Sequence, residues 1–336
     1  MSLITEIHIP EFPSKMDYQK SMMFFGSCFS ENIGQKMIDL KFNVDMNPFG
    51  ILYNPQSIAN SLKILLDKQP FTEYDLFQDQ GLWNSFFHHS RFSDVDKDVA
   101  LQKINSRILS SHEFLKNADF LVITFGTAWV YQLVNSGQVV SNCHKVPAVQ
   151  FNRVRLTRHE ISVAYRHLLE ELWRFNPNLK IIFTVSPIRH WKDGAFENQL
   201  SKATLLLAID HLKHDFSDRD LSYFPSYELM MDELRDYRFY AEDMVHLSPV
   251  AIDYIFERFS KFIISKESLQ TSDKIIKIRK AMLHRPVNVE SAEYEKFLRA
   301  TLDEIIKLNE SFNSLNFTME KIHLEQELAG FRKSQD

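Results

Sequence analysis

Cysteine is nearly missing from this chain. Cys28 and Cys143 are its only two, too few for the disulfide framework of a small secreted domain or for a cysteine-rich zinc site. Each is therefore read as a thiol. No stretch approaches the roughly 18 consecutive apolar residues of a membrane-spanning helix, and the opening MSLITEIHIPEFPSK has neither the basic start nor the apolar run of a secretory signal. A cytoplasmic protein with no membrane partner is expected. Charge of one sign is lacking too: the formal net charge is -5 over 336 residues, and the basic residues are dispersed instead of forming a stripe that could neutralise a phosphate backbone, which argues against nucleic acid as a partner. Repeats and low-complexity tracts are absent. Glycine is scarce, eight in all, so a glycine that directly ends an apolar run is informative. Gly26 and Gly126 both do so.

What is present is ordinary soluble globular composition, 44% hydrophobic and 25% charged, in a chain long enough for one large domain and an appendage. Residues 22–25 form a short apolar run stopped by Gly26, and Ile33, Met37 and Leu40 follow at helical spacing. The pattern is strand, tight turn, helix. Asn47–Gly50 and Tyr53–Pro55 carry turn chemistry, and 57–67 has Ile58, Leu62 and Leu65 on one helical face. Residues 119–125 and 180–185 are nearly continuous apolar runs, as expected of parallel strands buried on both faces. Helical patterns at 158–175 and 197–214 flank the second of these, and a further strand is expected at 221–224. Ser248-Pro249 sits in the cap and first-turn positions of a helix running to about 264. The alternation predicts an α/β fold with a mostly parallel sheet. Domain boundaries are placed at 1–265 for the main domain and 266–336 for a charged helical extension, broken at His284-Arg285-Pro286, that packs on the domain or on another subunit. The aromatic stretch within 70–100 reads as loop, a candidate substrate-facing lid.

Ligands of parallel α/β sheets gather at the carboxyl ends of strands. Gly26-Ser27-Cys28 puts a hydroxyl and a thiol at such a place, beside a helix N-terminus whose partial positive charge lowers a thiol's pKa and whose amides can meet an oxyanion. Taken alone, the same residues also fit a small buried thiol and a helix-capping Ser27 or Ser30. Asp243-Met244-Val245-His246 precedes the Ser248 helix, and a carboxylate three residues before a histidine can orient its ring for proton transfer.

The two motifs, in this order, resemble the first and last blocks of the SGNH hydrolases. The segments FFGSCFSENIG, NPFGILYNP, ITFGTAWVY, NCHKVP, TVSPIRH, LSKATL, YFPSYELMMDELRDYRFYAEDMVHLSP and HRPVNV together resemble the GSCFA family, over about residues 22–300. The resemblance implies an SGNH-like three-layer α/β/α sandwich with Cys28 in the nucleophile place and Ser27 in the place of the usual Asp. Cys28 is favoured as nucleophile by its spacing from Gly26, with Ser27 the alternative through a shifted turn. Asp243 and His246 become the acid–base pair. The usual oxyanion Asn is missing after Gly126-Thr127, so Gly126, Thr127, Asn47 and Gly50 are the candidate donors. His144, Lys145, Arg189 and His190 are candidate substrate contacts, His144 or Lys145 for an anionic group or His144 for proton transfer, while the run Arg235–Arg238 either holds the catalytic loop by ion pairing, the favoured reading, or reaches the site.

The activity so implied is hydrolysis of an ester through an acyl-enzyme, with a small-molecule or carbohydrate ester, preferably a carbohydrate O-acetyl ester, as substrate and no cofactor. Alternatives are an O-acyltransferase to a sugar hydroxyl and a non-catalytic binding protein on a degenerate SGNH fold. A zinc site built from Cys28, Cys143, His144 and His246 has suitable residue types but no close ligand spacing, and none is expected. The C-terminal helices could also mediate oligomerisation.

Overall fold

A run such as Phe120–Phe125, apolar at nearly every position, is stable only as a strand covered on both faces, and it forms the middle of the sheet. The computed structural model describes residues 5–312 and 314–333, so the outer ends of both expected segments lie outside the described residues. In chain order the elements are β1 (Ser21–Gly26), α1 (Cys28–Asp39), β2 (Asn43–Met46), α2 (Pro55–Asp67), the hairpin β3 (Phe77–Asp79) and β4 (Leu82–Asn84), α3 (Lys97–Lys116), β5 (Phe120–Phe125), β6 (Trp129–Leu133), β7 (Val139–Val140), β8 (Phe151–Arg155), α4 (Arg158–Phe175), β9 (Lys180–Val185), α5 (Gly194–Asp215), β10 (Leu221–Phe224), the single turn α6 (Ser226–Glu228), α7 (Pro249–Ile263), α8 (Lys266–Met282), α9 (Ala292–Ser311) and α10 (Thr318–Lys333).

The main sheet has the order β10-β9-β5-β1-β2, and every pairing in it is parallel. Side chains alternate between two apolar layers, as strand geometry demands. Met23 and Phe25 of β1 join Leu121, Ile123 and Phe125 of β5 and residues of α2, α3, α4 and α5 on one face. Met22, Phe24, Phe120 and Val122 join α1, α7 and the C-terminal helices on the other. The fold is thus a three-layer α/β/α sandwich, as expected. Its strand order reverses between β1 and β5, the crevice where doubly wound sheets bind ligands.

Local chemistry sets the helix ends. Asn54 caps α2 by accepting from the Ser57 amide at 2.8 Å, Thr157 and Glu160 form a reciprocal capping box on α4, and Ser248 Oγ accepts from the Ala251 amide at 3.3 Å. Besides β2 and the β3–β4 hairpin, two larger features escape the sequence pattern. One is α3, whose solvent-facing charges blur its periodicity. The other is a small antiparallel sheet, β7-β6-β8, that rises beyond β5.

Part of the aromatic stretch within 70–100 is core, while Tyr74 is exposed. Phe71, Leu76 and Phe92 are buried in the same apolar layer as α2 and α3, and the buried His88 stacks on Phe49 with ring centroids 4.7 Å apart. Helices α8–α10 pack on the main domain: Ile275, Leu298, Ile305, Phe317 and Leu324 share one cluster with Met22 and Phe24 of β1. Among the described residues no helix is long and apolar enough to cross a membrane.

One buried ion pair organises the region ahead of the Asp243–His246 loop. The Glu233 side chain is fully buried, where it accepts from the Ile7 amide at 2.7 Å, from Tyr254 Oη at 2.6 Å and from Arg258 at 3.4 Å. Arg258 also pairs with Glu6 at 2.5 Å. Removing one partner of such a pair strands the other, so Arg258→Leu is expected to lower unfolding free energy by about 3 kcal/mol. Urea denaturation checks this, and a loss within about 0.5 kcal/mol, typical of a neutral surface change, would show that Glu233 is compensated without the guanidinium.

Candidate active site

The Gly26-Ser27-Cys28 turn begins with a steric constraint. Gly26 has φ +140°, and a Cβ added there would lie 2.4 Å from the Thr124 carbonyl oxygen, so no side chain fits where β1 crosses the end of β5. Its amide donates to Asn47 Oδ1 at 2.9 Å and its carbonyl accepts from the Leu52 amide at 2.9 Å. Ser27 is the N-cap of α1, yet its buried hydroxyl makes no capping bond and has no hydrogen-bond partner among the described residues. Cys28 is the first residue of the helix. Burial pushes its thiol above the ordinary value, against the opposing pull of the Phe29 and Cys28 amides and of Lys202. A base is therefore needed to ionise it.

That base is available from the loop before α7. Asp243 Oδ1 accepts from the Val245 and His246 amides, both at 2.9 Å, and Oδ2 accepts from His246 Nδ1 at 2.5 Å. The intervening Met244 is left-handed, with φ 57°, which turns the chain tightly enough for one carboxylate to make all three contacts. These hydrogen bonds hold the Asp243 carboxyl down at about 2. With Nδ1–H committed to the carboxylate, Nε2 is the ring nitrogen left with a free lone pair. The Ala241 amide to His246 carbonyl bond, 2.8 Å, closes the loop. Arg235 and Arg238 pair locally with Asp232 and Asp236, and not with the Asp243–His246 loop.

A cavity of about 630 Å³ opens at the carboxyl ends of the strands and is lined by Ser27, Cys28 and His246, together with Thr127, Arg189 and His190. Other expected residues lie elsewhere or are already engaged. The Gly126 and Thr127 amides both donate to the Tyr53 carbonyl, at 2.8 and 2.9 Å, and the Gly50 amide donates to the Asn47 carbonyl at 2.8 Å. None of the three is left to meet an oxyanion, which corrects the expectation for those backbone donors. Asn47 differs: its Nδ2 is buried with no partner among the described residues, while its Oδ1 is fixed by Gly26. His144 and Lys145 do not line the cavity. His144 Nε2 donates to the Ser85 and His88 carbonyls at 2.8 and 3.0 Å, so it clamps the aromatic segment, and Lys145 is exposed beside it. Cys143 reaches the cavity rim. No group of three or more metal-binding side chains is gathered among the described residues.

The residue that sequence reasoning passed over is Lys202. Its exposure is 0%, and Nζ donates to the Gly126 and Ser186 carbonyls, both at 2.7 Å, tying the ends of β5 and β9 behind the cavity. Burial first, then Arg189, lowers its pKa to about 7. A signal was available: Lys202 is followed at helical spacing by the buried Leu205, Ile209 and Leu212, which places it on the core-facing side of α5. His190, at the cavity wall, is pushed to about 4 by burial and by Lys202, so its ring is neutral at pH 7.

The sign of the Lys202 effect on stability follows from its depressed pKa. The fold favours the neutral amine, so this contribution is complete above the ordinary value of 10.5 and declines as pH falls toward about 7. Lys202→Met lacks that dependence. The stability of the wild type relative to Lys202→Met is therefore expected to rise between about pH 7 and 10, measured by thermal unfolding of both proteins. Parallel curves would mean that Lys202 titrates as an exposed lysine does.

The chain is similar to a family two carbohydrate esterase from Clostridium thermocellum, solved with cellohexaose, at 13% identity over 76% of this chain and 66% of that one, TM-score 0.39. It is also similar to an acetyl xylan esterase, Est2A, from the rumen bacterium Butyrivibrio proteoclasticus, at 12% identity over 76% and 66%, TM-score 0.37. The chain thus spans just under two thirds of the length of these esterases. No curated protein matches it. The model of the GSCFA family matches residues 21–259, and that of the GSCFA domain protein C-terminal domain matches residues 275–330. With the first model alone covering well over half of its length, the chain belongs to the GSCFA family.

Proposed function

We propose that this protein hydrolyses an ester through a covalent acyl-enzyme, with Cys28 as nucleophile, His246 as general base and then acid, and Asp243 as the group that orients His246. The observation that carries the reading is that a thiol at a helix N-terminus and an imidazole with its Nδ1 fixed by a carboxylate open onto one cavity. His246 Nε2 takes the Cys28 proton, the sulfur attacks the ester carbonyl, and the tetrahedral intermediate collapses as His246 returns that proton to the departing alcohol. Water then attacks the thioester with His246 again as base, freeing the acid and restoring the thiol.

The oxyanion needs donors that the fold leaves free. The Cys28 and Phe29 amides at the start of α1, which reach the thiol sulfur, are the backbone candidates, and Asn47 Nδ2, unpartnered among the described residues but not on the cavity lining, is the side-chain candidate. Lys202 supports the thiolate from behind through its charge, although burial makes that charge costly to hold. Ser27 Oγ, buried and unpartnered, is the second candidate for the attacking atom. A carbohydrate O-acetyl ester is the first substrate class to try, and we read residues 1–265 as the catalytic part, with 266–336 as its helical extension. Transfer of the acyl group to a sugar hydroxyl shares the same covalent step and is revealed by competition between added alcohol and water.

A brief pulse with an activated acetyl ester, quenched in acid and mapped by mass spectrometry, tests the mechanism. Acetyl is expected on Cys28, absent in Cys28→Ala, and reduced in His246→Ala by roughly the 10²–10⁴-fold that a positioned general base supplies. Label on Ser27 would move the nucleophile by one residue. An unlabelled turn with the ester intact would remove the covalent reading.

A further inference from the structure

The part of the cavity wall formed by β6, β8 and the segment after β9 is rich in positive charge and in hydrogen-bond donors. Arg153, Arg189 and Lys192 line it against a single carboxylate, Asp193. That carboxylate is already paired with Arg153. Arg189 and Lys192 have no carboxylate partner among the described residues: Arg189 lies over the Trp191 ring at 4.8 Å, and Lys192 Nζ donates to Tyr131 Oη at 2.8 Å.

The donor excess is specific in position. Arg153 Nε, Arg189 Nε, Trp129 Nε1 and Ser141 Oγ are all buried without a hydrogen-bond partner among the described residues, and all four residues border this one cavity. Buried polar groups in folded proteins are nearly always satisfied, so a cluster of unsatisfied ones marks where an acceptor is missing. Against these donors stands one orphaned acceptor, Asp193 Oδ2, suited to a hydroxyl. The histidines facing the same space do not offset the charge, since none is an anion, and Lys202 beneath them adds to it.

We propose that Arg189 and Lys192 form an anion-binding subsite, so that the ester attacked by Cys28 belongs to a hydroxylated molecule carrying a carboxylate or a phosphate. The planar guanidinium of Arg189 can hold either group by paired N–H bonds, and the ammonium of Lys192 adds a point charge. The anion is thereby anchored at one end of the cavity while Cys28 and His246 act at the other. This assignment rests on the hydrolase reading for what happens to the ligand, but not for whether it binds.

Binding is therefore measured directly, by calorimetry on the Cys28→Ala protein with glucuronate, glucose 6-phosphate and glucose as probes. At least one anionic sugar is expected to bind about tenfold more tightly than glucose, the scale of one charge-assisted hydrogen bond, and to weaken as salt is raised. The better of the two anions identifies carboxylate or phosphate. Arg189→Gln and Lys192→Gln are each expected to erase the preference, and Lys192→Glu to reverse it, in proteins whose thermal unfolding shows them folded. Equal affinity for glucose and both anions, or no binding of either anion, overturns the subsite. If Cys28 accepts no acyl group while the anion preference stands, the hydrolase reading fails alone. If Cys28 is acylated equally by neutral and anionic esters and no preference is found, only the subsite fails.

Discussion

The contact on which the site depends is the approach of β1 to β5 at Gly26, where the Thr124 carbonyl occupies the space of a side chain. Because nothing else can stand there, β1 ends at a fixed point and α1 starts two residues later with Cys28 in its first turn. The turn is then held from outside. Asn47 takes the Gly26 amide, Leu52 gives to its carbonyl, and the next residue, Tyr53, accepts from Gly126 and Thr127. The loop after β2 thereby knits the ends of β1 and β5 together, and the amides it uses in doing so are the ones that a strand-end reading would have assigned to an oxyanion.

Buried polarity is concentrated around this crevice. Lys202 joins the ends of β5 and β9 through two carbonyls, a task a neutral amine performs as well as an ammonium, which fits a side chain whose charge is easily lost. Glu233 and Arg258 anchor the N-terminal arm and α7 near the chain that leads to Asp243. Between these anchored parts the Asp243–His246 loop stays half-exposed. The thiol is therefore fixed and shielded, whereas the His246 ring is fixed only by its own carboxylate and its short hairpin.

Much of the fold was legible from local pattern: the central strand at 180–185 is covered on both faces and reads as an apolar run, and it, the edge strand at 221–224 and the helix 158–175 match the structure residue for residue. Elements with one wet face were harder. The edge strand β2 has only Asp45 buried, and it is there that a carboxylate pairs with Arg107, a pattern that periodicity cannot flag. In the site, Ser27, Cys28 and His246 converge with Arg189 and His190, since each follows a strand or precedes a capped helix. The backbone donors were misassigned because a sequence shows where an amide stands but not which carbonyl it faces. His144 drew notice as a histidine beside a lysine, and its two carbonyl partners come from a segment more than fifty residues away.

The C-terminal helices give the architecture a further property. Tyr18 and Phe42 stack at 4.2 Å near the bottom of the sheet, Tyr18 meets Phe312 at 5.7 Å and bonds Ser272 at 2.9 Å, and Phe317 is buried in the same layer. The two family matches are separable along the sequence, but the apolar layer beneath them is continuous. A ribosome delivering this chain would hold β1 and α1 incompletely covered until α8–α10 emerged, so the layer beneath the thiol turn acquires its final packing only after more than two hundred further residues have been made.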